Sequence, residues 1–301
     1  MQTLRTLLVL VSITTTACGS PGSEEDELPA GLTKEAICRV WNDGHVENEA
    51  TPWKPGADSC DPGTLSEVAV EDTLRRIDMF RALSGLPPVT EDRAQRRQDQ
   101  ACAVLMNANQ DLSHEPPRSW SCWTQAGRDG AASSNLALGP STPAEAVDLL
   151  MTDAGVPSVG HRRWLLGFHL GKVGIGFAGN STCIGVFDDS GSAEREWTAY
   201  PPPGPAPIAM VRDRNGPVPW TFHVADGIEG AEVTMRRMPE GDDVEITSWI
   251  IEPGYMIPDA IAWQPPRVRV GESYRVTITR PDHDPVEYDV ELVDCSGADS
   301  P

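Results

Sequence analysis

Positive charge is scarce in this chain of 301 residues: lysine and arginine together number 24 against 45 aspartates and glutamates, a formal charge of −21. A surface that acidic repels nucleic acid and anionic lipid headgroups, so nucleic acid is not expected as a partner. No Cys-x-x-Cys pair occurs, which argues against a structural zinc framework and against a thioredoxin-like redox centre. No Gly-x-Ser-x-Gly segment occurs, so a serine hydrolase built on a nucleophile elbow is not expected. There is no internal repeat, and no second hydrophobic stretch is long enough to cross a membrane.

What is present begins with an export signal. One basic residue, Arg5, precedes a short apolar run from Leu7 to Ile13, and Thr14, Thr15, Thr16 and Ala17 then lead to Cys18. The run is too short for a spanning helix, so residues 1–17 read as a signal peptide. Cys18 sits where a bacterial lipoprotein is cut and lipidated, which predicts a cell-envelope lipoprotein held by a lipid anchor. Thr15 replaces the usual leucine three residues before that cysteine, so plain secretion is the alternative. Residues 18–29 are polar and acidic and suit a flexible tether. The other six cysteines, Cys38, Cys60, Cys102, Cys122, Cys183 and Cys295, are an even number, as a disulfide framework requires. Pairing neighbours along the chain favours Cys38–Cys60 and Cys102–Cys122 and leaves Cys183–Cys295.

Residues 30–65, with their prolines, glycines and tryptophans, read as an irregular extension stapled by Cys38 and Cys60. Thr64-Leu-Ser-Glu67 then has the form of a capping box, and Val70, Leu74, Ile77 and Phe80 follow at helical spacing until Gly85 and Pro87. A second helix is expected from Glu91 to about Asn109 and a third from Thr142-Pro-Ala-Glu145 to about Asp153. A short helix is expected over Trp164–Leu166, and strands over Val173–Phe177, Cys183–Phe187 and Trp197–Tyr200. Helices followed by strands predict an α+β layer domain over residues 66–200. After Tyr200-Pro-Pro-Pro-Gly204 the apolar period becomes two, as in Trp220, Phe222, Val224 and Tyr274, Val276, Ile278. That pattern predicts an immunoglobulin- or fibronectin-like β-sandwich over residues 205–297, with Tyr274 as a tyrosine corner bonded to nearby backbone.

Several segments resemble the CAP superfamily of cysteine-rich secretory, antigen 5 and pathogenesis-related 1 proteins. Ile77-Asp-Met-Phe-Arg81-Ala-Leu-Ser-Gly85 looks like its opening helix, Leu112-Ser-His114 like its first histidine motif and Ala132-Ser-Ser-Asn135 like its Gly-Glu-Asn segment. Gly160-His161-Arg162-Arg163-Trp164 is similar to its Gly-His-Arg motif, and Val173-Gly-Ile-Gly176 to the strand after it. The resemblance implies an α-β-α sandwich with a central cleft where two histidines and two acids can hold a divalent cation. Carried over, the cleft residues are His114, Ser134, Asp153 and His161, with Ser134 standing where the first acid belongs. His114, Asp153 and His161 would then be the ligands of a weak site for zinc or a similar ion, and Glu115 is the nearest spare acid.

For each of these residues a plainer role competes. The histidines can orient loops, Asp153 can cap a helix or pair with Arg162 or Arg163, and those two arginines can pair at the surface or bind an anion. Trp120, Trp123 and Trp164 can be core residues rather than a cleft floor. Two functions therefore stand side by side. One is a non-catalytic binding module for a small apolar ligand, a lipid or a cell-surface protein. The other is a weak metal-assisted hydrolase of peptides or esters. Ser134 in place of the acid favours the first.

Overall fold

The computed structural model describes residues 33–48, 51–193, 195–213, 216–225, 227–251 and 259–296. The signal, lipidation and tether readings, residues 1–29, lie outside them. Six helices are present among the described residues: α1 (Lys34–Gly44), α2 (Glu67–Leu83), α3 (Arg93–Asn109), α4 (Gln125–Ser133), α5 (Pro143–Thr152) and α6 (Gly160–Leu165). Helix α1 corrects the irregular reading of the extension: Thr33 caps it by accepting from the Ala36 amide, and Ile37 and Cys38 are buried. The cap of α2 is Ser66, which accepts from Ala69, and not Thr64. Thr64 instead lies in a short antiparallel ladder between β1 (Trp53–Lys54) and β2 (Thr64–Leu65). Asp92 caps α3 and Thr142 caps α5, as their side chains promise. Helix α4 carries no apolar stripe that periodicity could detect. It forms because Thr124 caps it and because Gly127 and Gly130 let it lie against α3, where a Cβ on Gly130 would meet the Gln98 carbonyl oxygen at 2.4 Å.

The first large sheet has the order β3 (Thr90–Glu91), β5 (Lys172–Ala178), β6 (Ser181–Gly185), β4 (Ser134–Leu138), antiparallel except for the β3–β5 pair. Helices cover both faces. Cys102, Leu105 and Met106 of α3 form one apolar cluster with Leu136 and Cys183. Ile77 and Phe80 of α2 and Val147 and Leu150 of α5 join Ile175 and Ile184 in the larger one. The glycines of the sheet set the α3 spacing: a Cβ on Gly176 would lie 2.1 Å from the Asp99 carbonyl oxygen, a backbone atom that cannot swing aside.

Past this sheet come β7 (Trp197–Tyr200), β8 (Gly204–Pro207), the short pair β9 (Arg212–Asp213) and β10 (Gly216–Pro217), then β11 (Trp220–Val224), β12 (Glu232–Met238), β13 (Asp242–Asp243), β14 (Thr247–Ile251), β15 (Asp259–Gln264), β16 (Ser273–Thr279) and β17 (Val286–Val293). They make a four-stranded sheet β14-β15-β11-β7 and a five-stranded sheet β13-β12-β16-β17-β8. Trp220 of the first meets Tyr274 of the second edge-on at 5.9 Å, and Trp197 stacks near Tyr288 at 5.7 Å. The fold is thus mixed α and β, and the larger core runs from α2 and α5 through Tyr200 into both C-terminal sheets. The Tyr274 hydroxyl donates to the Glu272 carboxylate at 2.5 Å, a side-chain partner where a backbone one was expected.

Three disulfides form, with none of the neighbour pairings. The bonds are Cys38–Cys295, Cys60–Cys122 and Cys102–Cys183. The reason is topological. Cys102 sits on α3 directly over Cys183 of β6, and α1 packs beside β8 and the end of β17, bringing Cys38 to Cys295.

Candidate functional site

The strand β4 passes between two environments. Ser134 faces α3, where its hydroxyl donates to Asp99 Oδ1 at 2.8 Å. Asp99 is fully buried, its Oδ2 has no hydrogen-bond partner, and burial pushes its carboxyl up to about 7. Asn135, the next residue, faces the other way and donates from its side-chain amide to the His161 carbonyl oxygen at 2.9 Å. Ser134 therefore turns its side chain away from α6 into a closed pocket under α3, and its proton already has an acceptor there. Asp99 was not singled out from the sequence, although its spacing to Cys102, Ala103 and Met106 places it on the buried stripe of α3.

His161 opens α6. Its Nδ1–H donates to Asp153 Oδ1 at 2.8 Å, and Asp153 Oδ2 accepts from the Arg162 backbone amide at 3.2 Å. The carboxylate is wholly buried and the imidazole is 27% exposed, so the ring is fixed from behind and presents Nε2 outward. Arg162 and Arg163 are buried, which corrects the surface reading of both. The Arg162 guanidinium donates to the carbonyls of Met151, Thr152 and Pro219 and lies 4.0 Å over the Tyr200 ring; burial lowers its pKa. Arg81, whose pKa burial brings down to about 10, donates to the carbonyls of Leu165, Gly167 and Leu170. A helix as short as α6 has little stability of its own, and these two buried cations hold it at both ends.

His114 lies exposed on the loop after α3, its Nδ1–H donating to the Ala131 carbonyl at 2.8 Å. Both histidines are thus tied to the segment Ala131–Asn135, one through its ring and the other through its backbone. Among the described residues, however, no three His, Cys, Asp or Glu side chains come together as a group that could hold a metal ion, so His114, Asp153 and His161 are not a preassembled ligand set. Trp120 and Trp123 pack against the α3 cluster as core residues. Trp164 packs against the larger core, and, one turn of α6 after His161, it also stacks on Phe187 at 4.7 Å, a ring that is 52% exposed. Phe187 was expected to end a strand that in fact stops at Gly185.

Residues 74–187 match the family model of the cysteine-rich secretory protein family, CAP. The matched residues contain α3–α6, β4–β6 and His114, Ser134, Asp153, His161, Trp164 and Phe187. An extracellular protein containing an SCP domain, from Bacillus anthracis str. Ames, has a solved structure that is 18% identical, with a TM-score of 0.31. The similarity covers 38% of this chain and 38% of that one. No curated protein matches this chain.

Proposed function

We propose that this chain is an exported, lipid-anchored protein whose CAP region is a non-catalytic binding module for a small apolar or lipid ligand. In this reading residues 66–200 are a CAP-type α-β-α sandwich except for β7, which joins the later sheet, residues 205–297 are an immunoglobulin- or fibronectin-like β-sandwich, and Cys18 carries the anchor. The observation that carries it is the open stack of Phe187 on Trp164, one helical turn from His161. A large ring left half in water beside a second ring gains most by being covered, and His161 Nε2 adds one oriented polar contact. Three disulfides support export.

The hydrolase reading draws support from the His161–Asp153 pair, which has the form of an oriented general base. Its nucleophile would be a metal-bound water, and among the described residues no three His, Cys, Asp or Glu side chains group to hold that metal. The test is to incubate the purified full chain with a total lipid extract and record native mass spectra. A discrete adduct on the wild type that is lost in Phe187→Ala is expected. Stoichiometric zinc together with ester or peptide turnover lost in His161→Ala would overturn the binding reading.

A further inference from the structure

The segment that presents His161 is built on two residues in the left-handed region, Asp153 at φ 51° and Val159 at φ 45°. For a β-branched residue this conformation is strained, and such strain persists only where surrounding structure enforces it. Val159 is the N-cap of α6 and has no side-chain capping bond to compensate. What encloses it is the C-terminal four-stranded sheet. Val159 is wholly buried in a cluster with Ile251 of β14 and Ala260 and Ala262 of β15. Trp249 of β14 packs on the same cluster and donates from Nε1 to the Pro157 carbonyl at 2.8 Å. A third hold comes from β11 and the residue before it, where Arg162 reaches the Pro219 carbonyl and the Thr221 hydroxyl.

We infer that the β14–β15 hairpin is a working part of the site: by enforcing the left-handed turn at Val159 it sets the His161 ring against Asp153, and Trp249 and Ile251 are positioning residues. The C-terminal sheets are then not an appendage to the CAP region but the wall on which its histidine is mounted. Several charged groups surround the segment. Asp153 and the guanidiniums of Arg162 and Arg163 lie within it or on α6, and His223 of β11 and Asp259 of β15 face it from the sheet. The role of the hairpin rests on the binding reading only for its purpose, because its readout needs no ligand.

That readout is the Nδ1 proton of the imidazole ring in NMR spectra of the ligand-free full chain. The bond to the buried Asp153 protects this proton in the wild type. Ile251→Ala removes the packing behind Val159, and Trp249→Phe removes the Pro157 bond while keeping an aromatic ring. Either change is expected to abolish the protected His161 signal and leave the His114 Nδ1 proton, held by the Ala131 carbonyl, in place. Adding Val159→Gly to Ile251→Ala should restore the signal, because glycine occupies the left-handed region without enforcement. A His161 signal that survives both single changes overturns the inference. So does simultaneous loss at His114, which reports general loosening, or failure of the glycine to rescue. A wild type that shows the protected His161 signal but captures no ligand counts against the binding reading alone.

Discussion

Ser134 and Asn135 are adjacent in sequence and open onto opposite sides of the same strand. On the Ser134 side the chain is closed: α3 lies so near the sheet that a Cβ on Gly176 would strike its backbone, and a carboxyl is sealed in without a full set of partners. On the Asn135 side the chain is open. A histidine is fixed from behind by a buried carboxylate, and the Phe187 ring remains half in water against a partly buried Trp164. The difference teaches that a motif position does not carry its family role unless its side chain faces the cleft. By resemblance Ser134 stands in the acid's place, yet its hydroxyl serves the α3 packing.

The largest effect should follow from restoring that acid. Ser134→Glu puts a longer, ionisable side chain into the closed pocket against Asp99. It should cost more than about 3 kcal/mol in denaturant unfolding, from overpacking and a second buried carboxyl, with no gain in zinc binding by calorimetry. A stable variant with tighter zinc would place Ser134 in the open cleft after all.

Asp99→Asn sharpens the closed side. The folded carboxyl titrates near 7, above its ordinary value of 3.8. The unfolded chain therefore releases this proton first, and stability falls as pH rises from about 4 to about 7, then levels. The loss is on the order of 4 kcal/mol at about 1.36 kcal/mol per pH unit. His223, buried and held well below its ordinary 6.5 by burial and by Arg163 and Arg162, works in the opposite sense and loses stability as pH falls below 6.5. The difference between the Asp99→Asn variant and the wild type isolates this one carboxyl: the variant should gain on the wild type across about pH 4–7. A constant difference would mean that the carboxyl is ionised in the fold.

A smaller contrast compares glycines. Gly176→Ala drives a Cβ into the Asp99 backbone and should cost about 1–3 kcal/mol. Gly160→Ala at the start of α6 meets only the Ser158 hydroxyl at 3.3 Å and should change stability by less than about 0.5 kcal/mol. Equal effects in thermal unfolding would remove the asymmetry.

Local chemistry made much of the framework legible. Thr142 announces its helix because a side-chain oxygen three residues from an amide acts locally, and β16 alternates as read, whereas β11 is buried on both faces. What escaped depends on distant segments. The disulfide partners are joined by packing of α3 on β6 and of α1 on β8, which no spacing encodes. Arg162 and Arg163 looked like surface cations because the strands that bury them come far later in the chain, Pro219 lying 57 positions after Arg162. Helix α1 was hidden by the tryptophans and glycines around it, and α4 by having only small residues on its packed side. The His161–Asp153 pairing was anticipated only as a shared cleft. The aromatic stack needed Phe187 to turn out of its strand, which the run Cys183–Phe187 gave no sign of.

The central claim is that ligand recognition belongs to the open side alone, and a chemical-shift map tests it most directly. The extract fraction that yields the adduct would be titrated into labelled full-length protein. Shifts are expected at His161, Trp164 and Phe187, with the amides of Asp99, Ser134 and Gly174 unmoved. Shifts centred on Asp99 and Ser134, with the His161 ring and Phe187 silent, would contradict it.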